Sequence, residues 1–269
     1  MLKRAENVVA QERIVNIYRY MKIRIKEVQN TPQAIFLAGP AGAGKSFVAK
    51  SLPLSKFHII NVDDTYEELL KASGMGMKQK DFDPEQLSQA AKLMGQAQKA
   101  TKEKYAKALA DLNDIIIDGT GAASRPLLKK KAELEALGYE TMMLMVYVSP
   151  ITSLERNMNR DRSLLPSIVL RTWRDINDNI DTYKEAFGNN FIIVDNDPEN
   201  AETGFDENEI KRRFFDTSKA KGKPKTPEEL AKLKADREEL NRDIKFHIKQ
   251  KPKFTPKDQA VSKVKEFIK

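Results

Sequence analysis

The 269-residue chain has no cysteine, which excludes disulfides, thiolate nucleophiles and cysteine-ligated metal centres. Its two histidines, His58 and His247, are too few for a histidine-rich metal site. No apolar run approaches the roughly 20 residues that a bilayer-spanning helix requires. Residues 1–15 mix charges of both signs and lack the apolar centre of a secretory signal. The expectation is therefore a cytoplasmic protein with no membrane association. What remains is globular material, 40% hydrophobic and 32% charged, in a length that suits one large domain with extensions.

The net charge of +8 is unevenly placed. Residues 218–269 hold 16 Lys and Arg against 8 Asp and Glu, whereas residues 1–217 hold 31 of each sign. A basic tail suits contact with phosphates, nucleic acid or an acidic partner, and suits a solvated helical extension equally well.

Periodicity divides the chain into three parts. Over 1–30, Ile14, Ile17, Tyr18, Met21, Ile25 and Val28 recur at the spacing of an amphipathic helix, which Thr31-Pro32 ends. Over 31–200, short apolar runs at 34–38, 57–62, 114–118, 141–148 and 191–195 alternate with helical stretches. These stretches include one opened by Asp83-Pro84, one over 124–137 closed by Gly138, one over 150–161 and one over 166–187. Such alternation predicts an α/β fold, a central parallel sheet with helices on both faces. Over 201–269 only helix and linker patterns remain, with 219–225 as a hinge and helices over 227–247 and 256–268. Trp173 on a helix stripe, Met142, Met143 and Met145 in the fourth strand, and His58 in the second read as core. Phe246, Phe254 and Phe267 suit helix packing as readily as base stacking.

The segment Gly39-Pro40-Ala41-Gly42-Ala43-Gly44-Lys45-Ser46 matches G-x-x-x-x-G-K-[ST] in full. Glycines let successive N–H groups turn inward on a phosphate oxygen, and the helix that follows adds its positive end. In this motif the lysine reaches the β- and γ-phosphates and the hydroxyl ligates Mg²⁺. An apolar strand before the loop and a helix-forming stretch after it supply the structural context the motif needs. This predicts a P-loop NTPase three-layer fold that binds ATP and Mg²⁺. No Asn-Lys-x-Asp base-reading motif is present, which argues against a GTPase.

Two acids follow strands on the same edge as the loop, Asp63 after the second and Asp118 at the end of the third. Ligands of open parallel sheets sit beyond the carboxyl ends of the strands. Phosphoryl transfer to a hydroxyl needs a carboxylate to take the proton, and Mg²⁺ needs oxygen ligands. Asp64 reads as a cap for a helix starting near Thr65.

These motifs resemble the P-loop kinases that include the kinase module of phage polynucleotide kinase and the zeta toxins. Asn61-Val62-Asp63-Asp64 is similar to the Asn-x-Asp-Asp of that module, which implies that Asp63 is the general base. Asp118-Gly119-Thr120 is similar to the acid-Gly-Thr of the zeta toxins, and Asp118 with Ser46 is the implied Mg²⁺ site. Arg156-Asn157-Met158-Asn159-Arg160, then Pro166 and Val169-Leu170-Arg171, follow the lid pattern of the phage kinase without a gap. The resemblance implies that Arg156 and Arg160 clamp phosphate. Where the nucleic-acid kinase has an arginine three residues past its base, this chain has Tyr66.

Three readings stand. The first is an ATP-dependent kinase acting on a nucleic-acid 5′-hydroxyl or a nucleotide. The second is a zeta-toxin-like kinase of a nucleotide sugar, with an antitoxin partner expected. The third is an ATP-hydrolysing module that docks to a partner through its helical extensions.

Overall fold

A computed structural model describes residues 31–76, 82–160, 163–198 and 252–268. The expected helices over 1–30 and 227–247, the hinge at 219–225 and Phe246 lie outside these residues.

Five parallel strands form one sheet: β1 (Gln33–Ala38), β2 (His58–Ile60), β3 (Ile115–Asp118), β4 (Glu140–Tyr147) and β5 (Phe191–Asp195). Their spatial order is β2-β3-β1-β4-β5. β1 is central, and all six of its residues are buried, as a strand covered on both faces must be. In register, Leu37 of β1 lies beside Asp118 of β3 and Leu144 of β4.

The period of two sends alternate side chains to opposite layers. Ala34, Phe36, Met143, Met145 and Ile193 face one layer. Helices α4 (Ser124–Ala136), α6 (Pro166–Asp178) and α7 (Ile180–Phe187) cover it through Leu134, Trp173, Ile176 and Tyr183. Ile35, Leu37, Met142, Leu144 and Ile192 face the other, against Val48 of α1 (Lys45–Lys50) and Ala260, Val264 and Phe267 of α8 (Lys257–Phe267). Each buried Val, Leu, Ile, Phe or Met among these contributes about 1.5–3 kcal/mol relative to exposure. The Trp173 indole N–H is satisfied by the Val148 carbonyl at 2.8 Å, so its burial leaves no orphan donor.

A side layer joins the first through Ala108 near the end of its longer helix. Helices α2 (Val62–Ala72) and α3 (Pro84–Ala110) pair through Tyr66, Leu70, Leu93, Met94 and Ala97. α3 opens with a full capping box in which Asp83 accepts from the Gln86 N–H and Gln86 accepts from the Asp83 N–H. Gly138, at φ 91°, closes α4.

Five sequence expectations change. The second strand stops at Ile60 rather than continuing to residue 62, because Asn61 caps a helix that begins at Val62, three residues before Thr65. Asp64 therefore lies inside the first turn instead of capping it. The stretch 166–187 is two helices, broken at Asn179, whose side chain donates to the carbonyls of Ala122 and Asp175 at 2.8 Å each. The helix at 150 ends at Met158. His58 is exposed rather than core, because β2 is a short edge strand.

The C-terminal helix belongs to the core. Phe254 packs on Tyr147 with ring centroids 5.0 Å apart, and the Thr255 N–H donates to the Ile193 carbonyl at 2.8 Å. The Gln33 side chain donates to the Phe267 carbonyl. Phe254 and Phe267 are thus packing residues, and these contacts decide what their spacing left open.

Candidate active site

Every strand delivers one piece of the site at its carboxyl end. β1 runs into the glycine-rich loop at residues 39–44, and α1 begins at Lys45. The loop is anchored to β3, since the Gly39 N–H donates to the Thr120 carbonyl at 2.9 Å. Gly42 and Gly44 adopt φ of 76° and 81°, in the left-handed region that side chains with a Cβ resist. Space forbids a side chain as well: a Cβ on Gly42 would lie 2.8 Å from the Ser153 carbonyl, and one on Gly44 2.5 Å from Asn196 Nδ2.

Lys45 folds back over this loop, its Nζ donating to the Gly39 carbonyl at 3.1 Å. Burial pushes the ammonium well below its usual value. Asp118 opposes this shift, Arg160 reinforces it, and Asp63 opposes it. Four residues from four segments thus share one electrostatic neighbourhood.

Asn61, after β2, caps α2 by accepting from the Asp63 N–H at 2.8 Å. Its amide donates to Asp118 Oδ2, also at 2.8 Å. Asp118 Oδ1 is buried and has no hydrogen-bond partner. Burial raises the Asp118 carboxyl above the ordinary value. Lys45 and the Asn61 hydrogen bond hold it down, while Asp64 and Asp63 push it further up. Asp63 and Asp64 are exposed in the first turn of α2, where the helix dipole favours carboxylates.

After β4, Ser149 caps α5 (Pro150–Met158) and this helix lies against the loop. Ser153 Oγ donates to the Ala41 carbonyl at 2.6 Å. Arg156 spans two carbonyls, Gly42 at 3.3 Å and Asn196 at 3.1 Å. After β5, Asn196 Nδ2 donates to the Ala43 carbonyl at 2.8 Å. Arg160, just past the helix, is exposed. Asn157 is fully buried and pins the chain beyond it, donating to the Leu164 carbonyl at 2.9 Å and accepting from its N–H at 3.0 Å.

The sequence-derived residues Lys45, Ser46, Asp63, Asp118, Arg156 and Arg160 therefore all fall at one edge of the sheet. Arg156 reaches one loop carbonyl, Gly42, and the Asn196 carbonyl after β5 rather than open space. Sequence reasoning missed Ser153 and Asn196 and gave Asn61 no role. The signal for Asn196 was its place right after a strand, on the edge where α/β sheets build sites. Nothing in the sequence pattern distinguishes Ser153.

Among the described residues no group of three or more acidic, histidine or cysteine side chains could hold a metal alone. A Mg²⁺ ion here would share its ligands with nucleotide phosphates, the usual arrangement for this cation. The orphaned Asp118 Oδ1 and the exposed Ser46 hydroxyl at the head of α1 fit that requirement. No described helix is long and apolar enough to cross a membrane.

A family model described as Zeta toxin matches residues 19–209. No curated protein matches the chain. Among solved structures, that of the PezAT chromosomal toxin-antitoxin system of Streptococcus pneumoniae is 16% identical with a TM-score of 0.41, covering 85% of this chain and 97% of its own. The AvrRxo1-ORF1:AvrRxo1-ORF2 structure with sulphate ions is 13% identical with a TM-score of 0.49, covering 89% of this chain and 88% of its own. A gluconokinase from Sinorhizobium meliloti 1021 is 16% identical with a TM-score of 0.32, covering 62% of this chain and 84% of its own.

Proposed function

The chain belongs to the zeta toxin family, and on that premise we propose that it is an ATP-dependent kinase that moves the γ-phosphoryl group to a hydroxyl of a nucleotide-linked sugar. One observation carries the reading. Lys45 folds back over the phosphate loop at the sheet edge that also carries Asp63, Asp118 and Arg160, to which we assign the base, the metal-side acid and the clamp of phosphoryl transfer.

The loop N–H groups and Lys45 bind the β- and γ-phosphates of ATP. Ser46 and Asp118 would hold Mg²⁺, which would neutralise charge on the phosphates. The acceptor hydroxyl gives its proton to the Asp63 carboxylate as its oxygen bonds to the γ-phosphorus. The bond from that phosphorus to the β,γ-bridging oxygen breaks, and ADP leaves. Arg160 meets the equatorial oxygens of the transferring group, where transition-state charge gathers. Arg156 adds positive charge from one turn earlier while its guanidinium holds the loop.

Three observations favour a sugar nucleotide over the nucleic-acid 5′-hydroxyl as acceptor. The family is that of the zeta toxins, and Phe254 and Phe267 pack onto the core clusters of the sheet, which favours packing over base stacking. Tyr66, at the position of the nucleic-acid kinase arginine, is 1% exposed and faces the α2–α3 layer.

The test offers γ-labelled ATP with sugar nucleotides, 5′-hydroxyl DNA and 5′-hydroxyl RNA in separate reactions, alongside Lys45→Ala and Asp63→Asn. Label on the sugar nucleotide, lost in both variants, is expected. Label on an oligonucleotide would move the acceptor to nucleic acid. Phosphate released to water, with Asp63→Asn unaffected, would replace the kinase by an ATP-hydrolysing module.

A further inference from the structure

Three consecutive carbonyls of the phosphate loop are fastened from outside it. Ala41 accepts from Ser153, Gly42 from Arg156 and Ala43 from Asn196, at 2.6, 3.3 and 2.8 Å. The fasteners come from two segments far apart in sequence, α5 and the residue after β5. Arg156 also ties them together, because its second nitrogen reaches the Asn196 carbonyl at 3.1 Å.

A trans peptide unit points its C=O and N–H in opposite directions. Holding the Ala41 and Ala43 carbonyls outward therefore aims the N–H groups of Gly42 and Gly44 into the loop. The Ala43 N–H is already used within the turn, on the Pro40 carbonyl at 3.1 Å. Gly42 and Gly44 are thus the units whose direction the outer contacts set. Both have the greatest conformational freedom of any residue, so both lose the most entropy on being fixed. The clash distances at these glycines show how closely α5 and Asn196 press on the loop.

We infer that Asn196 and Ser153 are positioning residues that, with Arg156, form a bracket holding the phosphate loop in its binding conformation before nucleotide arrives. Asn196 is the keystone, since its side chain fastens the loop and its carbonyl fastens Arg156. The bracket links β5 to the loop, so the sheet's last strand contributes to phosphate affinity without touching phosphate. This inference rests on the kinase reading for its choice of ligand.

The test is calorimetric titration with ATP and with tripolyphosphate, plus turnover at saturating ATP. It compares the unaltered protein with Asn196→Ala, Asn196→Asp, Ser153→Ala and Asn190→Ala. Asn190 is the control: it donates a comparable side-chain hydrogen bond, to the Thr141 carbonyl at 3.1 Å, at the opposite end of the sheet. Asn196→Ala is expected to weaken both ligands about tenfold, the factor matching one net hydrogen bond. Turnover at saturation should fall much less. Asn196→Asp keeps the shape without the donor and should weaken binding at least as much, and Ser153→Ala should weaken it too. Asn190→Ala should lower the melting temperature and leave affinity unchanged.

Unchanged affinity in Asn196→Ala and Ser153→Ala, or an equal loss in Asn190→Ala, overturns the bracket. If tripolyphosphate binds and responds to the variants while ATP does not bind, the bracket stands and the kinase reading falls. If neither ligand binds the unaltered protein, both fall.

Discussion

The Asn61 side-chain amide donates to Asp118 Oδ2 at 2.8 Å, joining the end of the edge strand to the end of its neighbour. The same side chain accepts from the Asp63 N–H. One carboxamide therefore sets the first turn that carries the proposed base and the carboxylate proposed to face the metal. It also occupies only one Asp118 oxygen and leaves the other available.

Asn61→Ala should lose both functions. The lost cap should cost about 1 kcal/mol of stability, and the lost orientation of Asp118 about 10- to 100-fold in turnover, the range seen for partners of metal ligands. Asn61→Ser separates the two, because a serine can cap α2 but is too short to reach Asp118. Thermal melts should show near-normal stability for Asn61→Ser while assays show the same low turnover as Asn61→Ala. Full activity in Asn61→Ala would show that Asp118 needs no such support.

Asp63 and Asp64 are neighbours of identical chemistry in one helical turn, yet different outcomes are expected. Asp63→Asn should lower turnover by about 10²–10⁴, the contribution of a positioned general base. Asp64→Asn should leave most activity in place. Single-turnover rates with γ-labelled ATP decide it, and equal losses in the two variants would mean that the base is assigned wrongly.

Asp118 gives a pH dependence that can be read without substrate. Its carboxyl is raised in the folded state above the ordinary 3.8, chiefly by burial. The folded protein therefore binds this proton more tightly than the unfolded chain does. As pH rises from 3.8 through the raised folded value, the carboxylate charges inside the protein, and its contribution to stability declines. Asp118→Asn cannot titrate. Its melting temperature relative to the unaltered protein, measured free of metal and nucleotide, should climb across that interval and level off above it. A difference that stays flat with pH would mean that Asp118 is not raised.

The docking of α8 predicts a stability defect far from the chemistry. Phe267 packs with Leu54, Phe57 and Val264 on the sheet face opposite Trp173. Phe267→Ala should cost about 3 kcal/mol, or roughly 6–12 °C at about 2–4 °C per kcal/mol. Turnover per folded molecule should not change. Denaturant melts and active-site titration check both parts, and a variant as stable as the original would show that α8 is dispensable.

The phosphate-loop motif was legible residue by residue. Eight consecutive positions name a phosphate site, and the strand-end acids and the arginines of the lid pattern could be placed beside it by counting strands. The five strands and most helices followed from apolar period and from caps such as Asp83-Pro84 and Gly138, because those preferences are local. Local preference could not decide Asn61. Its side chain competes with the strand ladder for the backbone, and that competition moved the start of α2 forward to Val62. Nor could it reveal that Asn196 reaches Ala43, 153 positions earlier, or that Ser153 reaches Ala41 across 112. The sequence by itself determined the phosphate-loop motif, the parallel α/β architecture and the acids at the strand ends. Tertiary structure alone decided which polar side chains hold the loop, and that a lysine-rich terminal helix is core, because those outcomes depend on which distant carbonyls and apolar faces the folded sheet brings together.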